Sequence, residues 1–273
     1  MIRDKTFILF GLDGDGYSWR GMFYLFTLFF GALLTAATLS GPVYLVSSEM
    51  DNAIARYVAS KGICKIYERI TLLTTLASLP FFFKKCGIKS LAKLGCNLRN
   101  VGSMLAWACI GALFMAAFTA GEILFGVLGV VSNHSAFGAL LGELPKFVLC
   151  STAIGIFEEI LFRGAIFRAF YTALNPILAI VISSLFFAYA HTKIPLAVSL
   201  ADGISAFSGF RCLIPMLFGF LYKFKAFQFA KLTLFGIILS AITIRNKSLN
   251  QAIGFHGGTV LMLFIANIFT KSL

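Results

Sequence analysis

Charge is what this sequence has least of. Only 12% of its 273 residues are Asp, Glu, Lys or Arg, about half the share usual in soluble domains. Acidic residues are scarce, 11 against 23 basic ones, and histidine occurs three times. That scarcity, with 59% hydrophobic residues, excludes an ordinary soluble domain and indicates a polytopic membrane protein. Six cysteines (Cys64, Cys86, Cys96, Cys109, Cys150, Cys212) form no C-x-x-C pair and no metal-ligand spacing. They read as small apolar fillers. No internal repeat, low-complexity tract or linker divides the chain. The first 21 residues carry Asp4, Asp13 and Asp15 and lack an apolar stretch followed by a cleavage site. The first apolar run is therefore expected to be a retained helix rather than a signal peptide. A net charge of +12 does not imply nucleic acid, because the lysines and arginines mostly flank apolar runs. There they are expected to anchor helices to anionic lipid headgroups.

What is present is long and greasy. Residues 22–46 contain no charge over 25 positions, enough to cross a hydrocarbon core of roughly 30 Å. About eight spans are expected, at 22–46, 66–83, 104–131, 145–171, 176–195, 212–222, 231–245 and 251–270. The fold class is thus all-α, a polytopic membrane helix bundle. The sixth span has 11 clean apolar residues and is either re-entrant or starts earlier and includes Arg211. Residues 84–103 form the most basic loop, with Lys84, Lys85, Lys89, Lys93 and Arg99. If it is cytoplasmic, the cytoplasmic side holds 14 of the 23 Lys and Arg, which favours both termini on that side.

A carboxylate at the bilayer centre costs about 2.5–3.5 kcal/mol on the insertion scale and is usually functional. Glu122 in the third expected span and the adjacent Glu158 and Glu159 in the fourth are such groups. For Glu122, which belongs to no motif, interhelical hydrogen bonding is expected. His134 lies in a polar loop, while His191 and His256 lie in apolar runs. With a hairpin turning at Leu174-Asn175-Pro176, Glu158 and His191 lie roughly 24 and 22 Å from the turn at 1.5 Å per residue. They should meet at one level. With two spans expected between the fifth and the last, the last helix starts where the fifth ends, so His256 should join them. Glu159 and Arg163 are spaced i, i+4 and should neutralise each other. Glu158 is rotated about 100° away and should face the histidines. Phe187 should pack one turn below His191. A glutamate taken out of water is a stronger base, and histidines opposite it can orient water or stabilise an oxyanion. Glu158, His191 and His256 also make a zinc set, and spacing alone does not decide between metal-bound and glutamate-activated water.

At these residues the sequence resembles the CPBP intramembrane endopeptidases, which include the Ras-converting CAAX prenyl endopeptidase and the bacteriocin-processing Abi proteins. "EEILFR" (Glu158 to Arg163) is similar to their E-E-x-x-x-R motif and "FAYAH" (Phe187 to His191) to F-x-x-x-H. The stretch from Phe235 to Gly258 resembles the segment ending in H-x-x-x-Asn/Asp. The resemblance covers about 145–270, a catalytic helical core, while residues 1–144 supply about three helices and no motif. It implies an eight-helix protease with its site inside the bilayer. Glu158 would activate water, Glu159 and Arg163 would support it, and His191 and His256 would hold the water or oxyanion, without a firmly required metal. The substrate would be a membrane-embedded or lipidated protein or peptide, and the setting a bacterial inner membrane. One departure stands out: the Asn or Asp expected four residues after His256 is Val260. Asn267 lies about two turns further on, ~10 Å away, too far to substitute. A catalytically degenerate scaffold or immunity protein is therefore an alternative, as is a proton-coupled transporter, although the two related halves typical of transporters are not found.

Overall fold

The computed structural model describes residues 18–86, 88, 90–96, 100–131, 136–192, 203–219 and 224–272. Asp4, Asp13, Asp15, Lys89, Arg99 and His134 lie outside the described residues. Helices follow in the order α1 (Ser18–Glu49), α2 (Ala53–Ser60), α3 (Ile63–Lys85), α4 (Val101–Leu124) and α5 (Ala136–Glu159). A π-helical stretch, Ile160–Phe167, joins α5 to α6 (Arg168–Ala173) in one rod, and α7 (Pro176–His191) returns beside it. Then come α8 (Phe210–Phe218), α9 (Ala226–Asn246) and α10 (Asn250–Phe269). In lipid each backbone amide needs an internal partner, so uncharged runs become helices.

The turn into α7 forms as the residues dictate. Asn175 caps the helix by accepting a hydrogen bond from the Leu178 amide, and Pro176 occupies the first turn, where its missing N–H costs nothing. The third expected span ends earlier than 131, because Gly126 takes a positive φ of 69° just past α4, which glycine tolerates. Residues beyond it form a short antiparallel ribbon, β1 (Leu128–Val130) with β2 (Thr270–Ser272), pairing Gly129 with Lys271.

Five helices are long and apolar enough to cross a membrane: Gly21–Glu49, Val101–Leu124, Phe137–Tyr171, Ala226–Asn246 and Asn250–Phe269. The chain is an integral membrane helix bundle, and the other expected spans fall on shorter or more charged helices among the described residues. α3 is long enough, with 23 residues, yet carries Lys65, Glu68 and Arg69 near its start. α7 is apolar but has 16 residues. α8 does begin early enough to contain Arg211, yet its nine residues reach only about 14 Å.

Helix direction shows independently that α8 does not cross. Contacts between α4 and α10 rise together along both sequences, Ser103 with Gln251 and Gly111 with Thr259, so the two helices are parallel. The start of α10 therefore lies at the same end as the start of α4, and the Leu249 amide donates to the Gly95 carbonyl there at 3.0 Å. From the end of α4 to the start of α10 an odd number of crossings is required. α5–α6, α7 and α9 supply three, and α8 would make four. Among the described helices, the expected sixth span is therefore not a crossing. β2 then lies opposite the basic loop, while α1 starts beside that loop, with Leu25 in one apolar cluster with Phe82 and Leu94. The start of α1 and the end of α10 thus lie at opposite ends of the described bundle, whereas an even count of crossings would place them together.

Candidate active site

Three helices converge on the site, and small residues let them. On α10, a Cβ at Gly254 would overlap the Met104 carbonyl of α4, and one at Gly258 the Ala108 carbonyl. On the other face, a Cβ at Gly155 of α5 would come within 2.9 Å of the Ile253 carbonyl. Such close approach is how helices associate in lipid, where burial of apolar surface gives little drive. Glu159 lies one turn beyond Gly155 and so meets α10 at His256.

Glu158, His191 and His256 come together. Glu158 Oε2 is 2.9 Å from His191 Nε2 and 3.8 Å from His256 Nε2. Phe187 stacks on His191 with ring centres 4.2 Å apart, as the i, i+4 spacing requires. The ion pair of Glu159 with Arg163 also forms, at 3.0 Å between Oε1 and Nη1. Both side chains are almost fully buried, 0% and 2% exposed, whereas Glu158 and His191 keep 27% and 29% of their surface. The structure thus leaves Glu158 accessible and encloses its neighbour.

Two features differ from the expectation. Glu159 does more than cancel Arg163, because its Oε1 also accepts a hydrogen bond from His256 Nδ1 at 2.8 Å. His256 therefore stands between the two glutamates, one nitrogen on each. Counting around one helix reveals i, i+4 partners on that helix and not a partner arriving from another. His256 also reaches this depth by a different route from the one expected. Among the described helices only α9 crosses between α7 and α10, so α10 starts at the end opposite the one where α7 finishes. His256 still reaches the level of Glu158 because α10 begins deep in the bundle, with Leu249 against Gly164 of the π-helical stretch.

Hydrogen-bond partners fix the protons. The Phe187 carbonyl can only accept, so His191 Nδ1 donates to it at 2.8 Å. Glu159 likewise takes the Nδ1 proton of His256, leaving His256 Nε2 as an acceptor when neutral. The contact of His191 Nε2 with Glu158 then contains one shared proton. Both imidazoles are held by their far nitrogens with their Nε2 atoms turned to Glu158. Among the described residues no three His, Cys, Asp or Glu side chains are grouped to hold a metal ion.

Residues without an expected role complete the site. The Gly236 carbonyl of α9 accepts from Arg163 Nη2 at 3.1 Å, and the Phe235 ring lies edge-on to His256 at 5.3 Å. Phe162 packs against Phe187 at 4.9 Å. The signal for the first two was the Phe235-Gly236 pair opening the last resembling segment. Val260 is half-buried and Asn267 exposed. Glu122 is outside the site, paired with Lys231 of α9 at 2.8 Å.

The family model described as type II CAAX prenyl endopeptidase Rce1-like matches residues 138–262, which include every residue of the convergent site. A curated relative from Bacillus subtilis (strain 168), named "Putative membrane peptidase YdiL", is 33% identical over 102 residues. The alignment spans 35% of this chain and 41% of that protein, less than half of either. No solved structure matches.

Proposed function

We propose that this chain, whose residues 138–262 belong to the Rce1-like CAAX prenyl endopeptidase family, is an intramembrane endopeptidase. It hydrolyses a peptide bond of a membrane-embedded or lipidated protein or peptide, in a bacterial inner membrane whose anionic headgroups hold its basic helix ends. The observation that carries this reading is the approach of two imidazole Nε2 atoms to one accessible carboxylate, at 2.9 and 3.8 Å.

Two acceptors 3.8 Å apart, Glu158 Oε2 and His256 Nε2, can each take one hydrogen from a single water at about 2.8 Å. Its lone pairs then face a scissile carbonyl. Glu158 removes a proton as the oxygen attacks the carbonyl carbon, giving a tetrahedral oxyanion. The shared proton on His191 Nε2 swings to that oxyanion. Glu158 then delivers the water's proton to the leaving nitrogen as the C–N bond breaks, yielding a carboxylic acid and an amine. General-base assistance of this kind is worth about 100- to 10,000-fold.

The test is Glu158→Gln, which keeps the shape and removes the base. Cleavage of a membrane peptide reconstituted with the protein, followed by mass spectrometry, should fall by at least ~100-fold at equal protein level. Unchanged cleavage would overturn the assignment of Glu158. No cleavage by the parent chain of any membrane or prenylated peptide favours the degenerate scaffold. Loss of activity to a chelator and its return with zinc would place the water on a metal held by Glu158, His191 and His256.

A further inference from the structure

The cysteines were expected to be fillers, and two of them are placed otherwise. Cys64 at the start of α3 and Cys212 in α8 are 148 residues apart in sequence, with their sulfurs 3.0 Å apart. Cys212 is fully buried and Cys64 half-buried, so one thiol is open to reagents and its partner is sheltered behind it. Their approach is fixed from three sides. Tyr67, one turn after Cys64, donates to the Leu33 carbonyl of α1 at 3.1 Å. The chain enters α8 at Gly209, where a Cβ would overlap the Ala37 carbonyl and Ser40 of α1. At the far end of α8 the Tyr189 hydroxyl of α7 donates to the Leu217 carbonyl at 2.9 Å. α8 does not cross the bundle, and the sulfur pair is where it meets α3.

This place has a functional neighbour. A cavity of about 280 Å³ lies beside the catalytic helices, lined among others by Phe29, Phe162, Phe186, Tyr189, Met216 and Leu217. Met216 and Leu217 belong to α8 and Phe162 packs at 5.8 Å from the His191 ring. Whatever holds α8 also holds one wall of the space next to the site.

We infer that Cys64 and Cys212 form a dithiol–disulfide pair that fixes α8 to α3. The accessible Cys64 thiolate attacks a sulfur of an organic disulfide, forming a mixed disulfide and expelling one thiol. The Cys212 sulfur, losing its proton, attacks Cys64 Sγ and expels the second thiol. Two protein thiols are oxidised to one disulfide while the reagent disulfide is reduced to two thiols, so electrons and protons balance. Neither cysteine touches the catalytic side chains, so this bond adjusts access and stability rather than the chemistry.

The full chain in detergent is incubated with oxidised glutathione or with dithiothreitol, alkylated under denaturing conditions, digested and weighed. The expected result is a peptide joining Cys64 to Cys212, two hydrogens lighter than the two thiol peptides combined. It should be absent after dithiothreitol and in Cys64→Ser, and retained when Cys86, Cys96, Cys109 and Cys150 are all replaced by serine. Oxidation should also raise the melting temperature of the parent and leave that of Cys64→Ser unchanged. Full alkylation of both thiols after oxidised glutathione, or Cys64 joined elsewhere, would overturn the pair. A linked peptide with no change in melting would overturn the claim that it fixes α8.

Discussion

Arg163 reaches three groups at once: Glu159 on its own helix, the Gly236 carbonyl of α9, and the Phe187 ring 4.7 Å from its guanidinium. Arg163→Ala leaves a fully buried carboxylate without its cation and should lower stability by about 3–5 kcal/mol, read as a loss of melting temperature in detergent. Val260 gives a prediction of opposite sign. It sits four residues past His256, on the same helix face, where the resembling family has an amide or acid. Val260→Asn should raise turnover, with an upper limit of about 100- to 1,000-fold for one added oxyanion donor, and leave KM unchanged in steady-state cleavage. The pairs Glu159–Arg163 and Phe187–His191 were legible in the sequence because both are i, i+4, a spacing the helix enforces. The bond from Glu159 to His256 was not, since it depends on how deep α10 starts, which a loop contact between Leu249 and Gly95 sets.

Helices themselves were legible: each expected span falls on one. Their crossings were less so. Gly254 and Gly258 form a small-xxx-small pattern in plain sight, yet which helix they admit follows only from the assembled contacts with Met104 and Ala108. Gly254→Ala should therefore push α4 from α10, lowering both melting temperature and cleavage, since His256 rides on the same helix. Gly31→Ala in α1 is the control. Nothing stands within 4 Å of a Cβ there, and the swap should be neutral or stabilise by up to about 1 kcal/mol. The sixth span shows the limit of hydropathy. Its apolar residues say only that it avoids water, and nine helical residues are too few to cross.

At the scale of the molecule, parity is what apolar runs alone did not reveal. One non-crossing helix reverses every later segment, so the end of α10 falls opposite the basic loop rather than beside it. Reporters placed in the basic loop near residue 93 and after residue 272 should lie on opposite sides of the membrane, as read by a membrane-impermeant labelling reagent. The same side for both would restore an even count. Glu158 and His191 share a depth whatever the count, because it depends on one local turn, at Asn175 and Pro176.

The parallel pairing of α4 with α10, with partners 148 residues apart, also orders events in time. α4 emerges from the ribosome long before the helix that covers its small-residue face, and His256 arrives with that late helix. Contacts so distant in sequence form last. A nascent chain therefore carries Glu158 and His191 through the membrane as an incomplete pair. Under the proposed function, hydrolysis therefore waits until α10 docks and brings His256 to Glu158 and Glu159.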